Sequence, residues 1–313
     1  MEGIMRDLCV AGLDLGGTNV RCGLVRAGDR LVCEASQVRR LGTRDLDEVL
    51  AIVCGEIRRL DAMPDAVGIA VAGMVDVDHR RVLRAPNLDW TDVQLSDRLE
   101  AELGVPVAVL NDVNAITWGE YLGLELPGTD HLAAVFFGTG VGGGLVMNRR
   151  LVEGARGLAM EIGHVGVDGE PDAPLCGCGR RGCLESYVGG QNFAAWIRTL
   201  TLPFPAPAHM GELDAAASAG EPAAQRLIAQ LAGHTTDVLC SLITLLDPGH
   251  LMVGGTVWTG CPAFARQVRA SVDENTRGAV SWLSPRYTIE AGILGAADFA
   301  LERIRRPDGS SQS

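Results

Sequence analysis

The sequence predicts an α/β fold of two duplicated domains around a cleft. Short apolar runs of strand length alternate with longer segments whose apolar residues recur at helical spacing, which is typical of α/β domains. The run CVAGLDLGGTNVRCGLV at 9–25 has the order strand, glycine turn with a threonine, strand, and HLAAVFFGTGVGGGLVM at 131–147 repeats it. Because the second run restarts the order of the first, we expect an internal duplication.

The first half, residues 1–118, is predicted to form a small α/β domain. Residues 45–61 carry apolar residues at helical spacing, and a second helix is expected to start after Asp112. Strands are predicted over 8–14, 20–25, 31–38, 66–73 and 105–112.

Residues 119–293 are predicted to form a larger α/β domain that contains the repeated strand, turn and strand. Helices are expected over 190–200 and 222–246, the second of which ends where Pro248 and Gly249 follow. Further strands are predicted over 250–255 and 286–292. A closing helix over 294–305 is expected to pack back on the small domain.

Composition and charge exclude several classes of protein. All 27 basic residues are arginines, so no lysine is available for a Walker A motif, a Schiff base or a protein-kinase ATP site. A net charge of −12 argues against a general nucleic-acid surface. No apolar run approaches the roughly 20 residues that a membrane span needs, and no signal-peptide core is found at the start. We expect a cytoplasmic protein that binds neither nucleic acid nor membranes.

Glycine-rich turns are candidates for phosphate binding. The candidate residues are Asp14, Gly16, Gly17 and Thr18 in the first half, and Gly138, Thr139, Gly140, Gly254 and Gly255 in the second. Glycines leave backbone N–H groups exposed to a phosphate, and the Asp14 carboxylate suits a hydrated Mg²⁺. A single turn of this kind is more often an ordinary hairpin. Two at equivalent positions of a duplicated chain favour phosphate binding.

The second turn also matches a dinucleotide-binding pattern. Glycines at 138, 140 and 143 fit G-x-G-x-x-G, and Glu161 follows about 20 residues later. That pattern requires a helix directly after the glycines, whereas LVMNRRLVEG predicts a strand and a turn. We therefore reject a dinucleotide site.

Four soft ligands between residues 164 and 183 predict a zinc site. Eleven residues separate His164 from Cys176, one residue separates Cys176 from Cys178, and four residues separate Cys178 from Cys183. Three thiolates and an imidazole complete a tetrahedron and leave no position for water, so the zinc would be structural. Arg180 and Arg181 are expected to offset the thiolate charge. The other six cysteines stand singly among apolar residues and are predicted to be reduced core thiols.

Seven motifs carry a family resemblance. They are DLGGT, PNLDW at 86–90, LND at 110–112, FGTGVGGG, EIGH at 161–164, CGCGRRGCLE at 176–185 and LDP…VGG at 246–255. In order and spacing the chain resembles the ROK sugar kinases over nearly its whole length. It resembles the glucokinase branch most, with allose-kinase-like and N-acetylmannosamine-kinase-like members close. The resemblance implies an actin-like, hexokinase-type ATPase fold, sugar and ATP meeting in the cleft between the domains, and commonly a homodimer.

The same resemblance implies roles for individual residues. Asp112 matches the base that takes the proton of the sugar hydroxyl, and Gly254 and Gly255 match the adenosine-binding region. The positions that match sugar-binding residues are Gly73, Asn87, Asn111, Asp112, Glu161, His164 and Glu185. Considered without the family, Asp112 could be a helix N-cap, Asn87 a turn residue and Glu185 a solvated acid at a helix start.

Two positions depart from the family pattern. Met160 stands where the family usually has the glycine of G-E-I-G-H, and Thr256 replaces the third glycine after Val253. Met160 could trim the sugar pocket, shift its preference or face the core. The departure therefore bears on which sugar is bound and leaves the reaction type unchanged.

The leading hypothesis is an ATP-dependent hexokinase that uses Mg²⁺, carries a structural Zn²⁺ and phosphorylates the terminal primary hydroxyl of an aldohexose, glucose first. Allose, N-acetylmannosamine and a glucose-like cyclitol are alternative acceptors. A sugar-sensing regulator is disfavoured by the charge of −12 and by the lack of room for DNA-binding helices before the first strand. A zinc-ribbon interaction module would leave both glycine turns and Asp112 unexplained.

Overall fold

The computed structural model describes residues 8–27, 31–124, 130–287 and 290–305. In these ranges the strands are β1 (Cys9–Leu15), β2 (Asn19–Ala27), β3 (Leu31–Arg40), β4 (Ala66–Val71), β5 (Met74–Val75), β6 (Val82–Ala85), β7 (Trp90–Val93), β8 (Val107–Asn111), β9 (His131–Phe137), β10 (Val141–Met147), β11 (Arg150–Leu151), β12 (His250–Gly254) and β13 (Ser281–Leu283). The helices are α1 (Leu46–Ile57), α2 (Leu95–Leu103), α3 (Asp112–Leu122), α4 (Leu184–Val188), α5 (Gly190–Ile197), α6 (Met210–Ser218), α7 (Pro222–Leu246), α8 (Thr256–Gly260), α9 (Pro262–Thr276) and α10 (Ala291–Arg305). Short 3₁₀ turns span Pro86–Leu88 and Ile162–His164.

The chain divides into two compact units. The first comprises the described residues of Met1–Leu124, Glu153–Ala159 and Arg286–Ser313, and the second those of Glu125–Val152 and Met160–Pro285. Each unit has a five-stranded sheet, in the order β3-β2-β1-β4-β8 in the first and β11-β10-β9-β12-β13 in the second. In both sheets the first strand of a hairpin (β1 or β9) pairs antiparallel with the next strand and parallel with a later one. The predicted α/β duplication is confirmed.

Glycines let helix α10 pack directly on the first sheet. A Cβ on Gly12 of β1 would lie 2.1 Å from the carbonyl oxygen of Ile293, and one on Gly68 of β4 would lie 1.8 Å from that of Ala296. Any side chain at either position would therefore push the helix off the sheet. The buried strand residues of β1, β4 and β8 supply the apolar surface that α10 and α1 cover.

Helix α7 is the longest helix of the second unit and matches the prediction for 222–246. Pro222 occupies its first turn, where no backbone donor is needed, and the Glu221 side chain accepts from the N–H of Ala223. The helix ends at Asp247, whose left-handed φ of 43° precedes Pro248. Its apolar side packs on a core that contains Phe137, Phe193 and Phe264.

Several elements were not predicted, and one prediction was wrong. The small sheet β5-β6-β7 consists of strands of two to four residues, too short for a clear alternation of apolar and polar residues. The strand predicted over 286–292 is not found in its described part, because the N–H groups of Arg286 and Tyr287 donate to the Glu120 carboxylate and α10 begins at Ala291. Residues 288 and 289, the first seven residues and the tail after 305 lie outside the described residues.

None of the helices in the described residues combines the length with the apolar character that crossing a membrane requires.

Candidate functional site

Asn111 and Asp112 lie where strand β8 ends and helix α3 begins. Asn111 caps the helix, since its Oδ1 accepts from the N–H of Asn114 at 3.0 Å. Asp112 is the first residue of the helix, so its interpretation as the N-cap is wrong.

Neighbouring donors orient the half-buried Asp112 carboxylate. Its Oδ1 accepts from the N–H of Val113 at 2.9 Å and from Nδ2 of Asn111 at 3.1 Å. Asn111 Nδ2 also donates to the carbonyl of Gly73 at 3.0 Å. A carboxylate fixed in this way is the type of group that accepts a proton as a general base. Three of the predicted residues, Gly73, Asn111 and Asp112, therefore lie together in the first unit.

The glycine turn between β1 and β2 contacts the segment that carries Asn87. The N–H of Gly16 donates to the carbonyl of Asn19 at 3.0 Å. A Cβ on Gly17 would lie 2.7 Å from the carbonyl oxygen of Asn87, so only glycine permits this approach. Asn87 is exposed, so its side chain is accessible to a ligand. The neighbouring residues Ala85, Leu88 and Trp90 are buried and anchor the segment.

Asp14 of β1 pairs with Arg21 of β2. Arg21 Nη1 lies 2.8 Å from Asp14 Oδ2. Burial raises the pKa of Asp14, and the arginine offsets only part of this effect. A carboxylate is the type of ligand that Mg²⁺ takes, so the donor fits a magnesium site, with Arg21 as a competing cation.

In the second unit, Glu185 of α4 lies against the glycine turn between β9 and β10. Its Oε2 accepts from the N–H of Val141 at 2.9 Å, and a Cβ on Gly140 would lie 2.4 Å from that oxygen. Its Oε1 accepts from Asn192 Nδ2 at 3.4 Å and from the thiol of Cys176 at 3.9 Å. Glu185 is therefore not a solvated acid. It connects the glycine turn to a predicted metal ligand.

A cavity of about 460 Å³ opens beside the same glycine turn. Its volume is in the range of small-molecule sites. It is lined by Gly138, Thr139, Gly190, Gln191, His209, Met210, Gly211, Thr256, Val257, Gly260 and Cys261. Gly255, the residue before α8, has a φ of 98°. A Cβ at this position would lie 2.3 Å from the carbonyl oxygen of Phe137, so the start of α8 requires a glycine.

The cavity brings Gly138 and Thr139 together with Thr256 and Val257 of α8, which follow the predicted residues Gly254 and Gly255 in the chain, whereas those two glycines and Gly140 do not line it. A larger cavity of about 540 Å³ lies between Phe204 and Glu221, and no predicted residue lines it. The cavity at the glycine turn is the better candidate because it is lined by two of the predicted phosphate-binding residues, Gly138 and Thr139.

His164, Cys176, Cys178 and Cys183 converge in the second unit. Their ligand atoms all lie within 4.8 Å of one another. Sγ of Cys178 is 3.7 Å from Sγ of Cys183, and Zn–S bonds of about 2.3 Å in a tetrahedron place two sulfurs about 3.8 Å apart. All nine cysteines lie in the described ranges and are free thiols, which excludes a disulfide between these three. Donor type and spacing both fit zinc.

The thiols of the cluster differ in acidity. Burial raises the pKa of Cys176. Burial also acts on Cys178, but hydrogen bonds from Arg180 and the neighbouring thiols lower its pKa to about 7. The Arg180 guanidinium also donates to the carbonyl of His164, so it connects two of the four ligand residues, His164 and Cys178. Since metal binding requires thiolates, Cys178 is the ligand most readily deprotonated.

The two nitrogens of His164 face different partners. Nδ1 lies 3.5 Å from Sγ of Cys176, and Nε2 lies 3.8 Å from Oε2 of Glu161. Burial raises the pKa of Glu161, which His164 partly offsets. Gly163 permits this turn, because a Cβ there would lie 2.2 Å from the carbonyl oxygen of Val141. His164 therefore connects the metal ligands to Glu161, a predicted sugar-binding residue.

Met160 adopts a left-handed backbone conformation. Its φ is 64°, a value that glycine adopts readily and a long side chain adopts at a cost of about 1 kcal/mol or more. Its side chain packs against the core of the second unit. Packing on the core is thus the observed alternative among the three considered for this methionine.

Comparison with known proteins identifies the family. The ROK family profile matches residues 10–303. The chain belongs to the ROK family. A glucokinase of Streptomyces coelicolor is 32% identical over 311 residues, covering 93% of this chain and 97% of that one. An N-acetylmannosamine kinase of Yersinia pseudotuberculosis is 30% identical over 290 residues, covering 92% and 97%.

A solved ROK structure supports the fold and the class of enzyme. The ROK family glucokinase from Streptomyces griseus, in complex with glucose and AMPPNP, is 30% identical with a TM-score of 0.74, covering 94% of this chain and 99% of that one. The predicted actin-like ATPase fold is confirmed. This ROK chain is an ATP-dependent sugar kinase, as the resemblance implied.

Sequence reasoning did not identify Gln191, His209 and Met210, which line the cavity of this ROK kinase. They belong to helices α5 and α6 and to the residue before α6, far in sequence from the glycine turn. No motif marks them. Gly190 and Gln191 reach the turn because their N–H groups donate to the carbonyls of Gly138 and Thr139 at 2.9 and 3.0 Å.

Proposed function

We propose that this ROK kinase transfers the γ-phosphoryl group of ATP to the terminal primary hydroxyl of an aldohexose, glucose first, with Asp112 as the general base. The observation that carries the proposal is the Asp112 carboxylate at the first turn of α3, oriented by Val113 N–H and Asn111 Nδ2. The 32% identical glucokinase supports glucose as the acceptor.

The reaction needs a proton acceptor and a means of holding phosphate. The hydroxyl proton passes to Asp112 while the hydroxyl oxygen bonds to the γ-phosphorus and the bond from that phosphorus to the bridging oxygen of ADP breaks. With no lysine in the chain, the phosphates would be held by backbone N–H groups. The proposed residues are Gly16, Gly17, Thr18, Gly138, Thr139 and Gly140, with Gly254 and Gly255 near the adenosine.

Asp14 is the proposed ligand of Mg²⁺. When bound, that ion would neutralise charge on the phosphates. Arg21, which pairs with Asp14, would keep the carboxylate in a fixed orientation in the absence of the ion.

Sugar hydroxyls are the proposed ligands of Gly73, Asn87, Asn111, Glu161, His164 and Glu185. Each hydroxyl requires a fixed donor or acceptor. Asn111 and Glu185 are held by hydrogen bonds within the protein, and Asn87 is exposed between buried neighbours. These contacts support a rigid set of partners for an acceptor whose hydroxyls must be distinguished.

We also propose a structural Zn²⁺ on His164, Cys176, Cys178 and Cys183. When bound, the ion supplies four-coordinate cross-linking and no reactive water. His164 Nδ1 faces the thiols, which leaves Nε2 to orient Glu161 or a sugar hydroxyl.

The second candidate acceptor is N-acetylmannosamine, which the 30% identical kinase of that name favours. A coupled ADP-release assay separates the two. We expect the highest kcat/KM with glucose, lower values with N-acetylmannosamine, allose and cyclitols, and none with 6-deoxyglucose, which lacks the primary hydroxyl. Turnover of 6-deoxyglucose would contradict the position of transfer, and no turnover with any hexose would contradict the acceptor class.

The family resemblance further leads us to propose a cytoplasmic homodimer. Light scattering on the purified chain is expected to give twice the mass of one chain, 33.0 kDa. A monomer across the micromolar range would contradict the dimer.

A further inference from the structure

His79 makes contacts that no part of the proposed catalytic machinery explains. It lies in the turn between β5 and β6 with a left-handed φ of 57°. Its side chain is only 13% exposed, and the ring stacks at an angle on Phe299 of α10, with centroids 4.3 Å apart. A histidine this deeply placed in a tight turn needs partners for both ring nitrogens.

His79 forms hydrogen bonds with strand β8. The backbone N–H of Val109 donates to the carbonyl of His79 at 2.9 Å, and Nδ1 of the ring lies 3.2 Å from the carbonyl of Val109. Because β8 is an edge strand, paired only with β4 in its sheet, His79 bonds both polar groups of Val109 on the open edge. Two residues further along, the strand ends at Asn111 and Asp112.

On its opposite edge, the His79 ring contacts the segment Glu153–Ala159. Nε2 lies 3.2 Å from Oε2 of Glu153, whose side chain is 22% exposed. The segment is closed by a hydrogen bond from Ala159 N–H to the carbonyl of Glu153 at 3.0 Å. Gly157 lies against the carbonyl of Val75, 2.7 Å from where its Cβ would be. The next residues in the chain are Met160 and Glu161.

The two ring nitrogens contact two different parts of the chain. A carbonyl only accepts, so Nδ1 donates to Val109, while Nε2 faces the Glu153 carboxylate at 3.2 Å. His79 therefore links two backbone segments through opposite edges of one ring.

We propose that His79 is a positioning residue that couples the strand ending at Asp112 to the segment leading into Glu161. This proposal rests on the proposed function, since it assigns the two segments to the base and to the sugar. The Val109 contacts fix the direction from which Asp112 leaves the sheet. The Glu153 contact fixes where the segment before Glu161 starts.

Substitution of His79 by asparagine tests the contacts with Val109 and with Glu153 separately. His79→Asn keeps a donor near the Nδ1 position and suits the left-handed backbone, but it is too short to reach Glu153. We expect about a fivefold to tenfold rise in the KM for glucose with kcat within twofold, as loss of one half-buried polar contact implies. Glu153→Ala should give the same rise, and the double variant should be no worse than either single one.

Conservative and matched variants complete the test. Glu153→Gln should restore the wild-type KM, because a carboxamide can pair with either form of the ring. His131→Asn, at the far end of β9 from its glycine turn, should leave both constants unchanged. Additive effects of His79→Asn and Glu153→Ala, or an equal fall in kcat, would overturn the proposal.

A nuclear magnetic resonance measurement tests the contact independently of turnover. In ¹⁵N-labelled protein, His79→Asn is expected to shift the backbone amide signals of the Glu153–Ala159 segment, while the amide signal of Val109 stays in place. Unchanged signals in the Glu153–Ala159 segment would overturn the proposal even if the protein phosphorylates glucose. If the protein phosphorylates no sugar but these signals shift, the proposed function fails while the link between the two segments stands.

Discussion

The junction of β8 with α3 and the segment 164–183 carry residues of one proposed function but are held in different ways. At the junction, hydrogen bonds within the protein position strand β8 and its end. Glu100 accepts from the N–H of Val107, the carbonyl of His79 accepts from the N–H of Val109, and Asn111 donates to the carbonyl of Gly73. The structure describes all of residues 165–183, and they contain no helix or strand. Their β-pairing consists of two isolated bridges, Gly166 with Cys183 and Leu175 with Arg181. There the ligand atoms of one histidine and three cysteines converge.

The difference teaches where order comes from in each region. Hydrogen bonds from Val113 and Asn111 orient Asp112, so we expect the proposed base to be in place with or without metal. The 164–183 segment leaves Leu175 62% exposed and Val165 43% exposed, and its backbone bonds include those from Val167 and Asp168 to Gly182. We expect the proposed zinc to add the cross-links that complete its order. The predictions below change residues in these regions or in direct contact with the elements that carry them.

The largest effect is expected at the junction. Asp112→Asn should lower kcat by a factor of about 10²–10⁴, the usual contribution of a general base. The glucose KM should stay within about threefold, because the carboxamide oxygen of the new side chain can still accept from Val113 N–H. Steady-state kinetics with Asp61→Asn, an exposed aspartate, as the control would check this. Near-normal turnover would show that the base lies elsewhere.

A smaller effect is expected where the glycine turn meets the ligand segment. In Gly140→Ala the new Cβ would lie 2.4 Å from Glu185 Oε2, so the carboxylate must move and lose its bond to Val141. We expect kcat/KM to fall about tenfold or more, which corresponds to loss of one charge-assisted hydrogen bond. Gly233→Ala, on α7 with open space around it, is the matched control and should be neutral. Equal activity of the two variants would contradict the role of Glu185.

A change at Met160 should affect stability slightly and specificity not at all. Met160→Gly relieves the left-handed strain of about 1 kcal/mol but removes a partly buried side chain of similar value, so unfolding free energy should change by under about 1 kcal/mol. Because the side chain packs on the core, the ratio of kcat/KM for glucose and N-acetylmannosamine should change less than about threefold. A tenfold change in that ratio would show that Met160 selects the sugar.

The last predicted effect is a pH-dependent change of stability at the start of β8. Burial raises the pKa of Glu100, but its bonds from Arg80 and from Val107 N–H outweigh this and lower the pKa below its ordinary value. The stabilisation is therefore present above the unfolded pKa of 4.5 and is lost as pH falls through the lower folded value. Glu100→Gln should cost about 1 kcal/mol at pH 7 and progressively less as the pH falls below 4.5.

Urea unfolding at both pH values checks this prediction. Glu102→Gln is the control, because Glu102 lies on the same helix, is 65% exposed and reaches Arg58 only at 3.8 Å. A cost for Glu100→Gln that is the same at pH 3 as at pH 7 would contradict the hydrogen-bonded carboxylate.

The sequence predicted the repeated strands, helix α7 and the four converging ligands because each leaves a local signal. Apolar runs predict the strands, and Pro222 and Pro248 mark the ends of α7. The spacing of His164 and the cysteines predicts the ligand set. Each of these signals can be recognised without knowing which distant residues lie nearby in the fold. His79, Glu153 and the cavity residue His209 left no such signal, since their partners are distant in sequence. The left-handed φ at Met160 was equally hidden, because methionine does not mark such positions.

The unequal dependence of the two regions on metal is tested most directly by calorimetric titration of glucose and, separately, a non-hydrolysable ATP analogue into zinc-loaded and chelated protein. Chelation should remove glucose binding, because Glu161 and His164 lose their anchor, while the analogue binds to both forms. Cys183→Ser should behave as chelated protein, and Cys240→Ser, on α7, as wild type. Full glucose affinity in verified zinc-free protein would contradict the account.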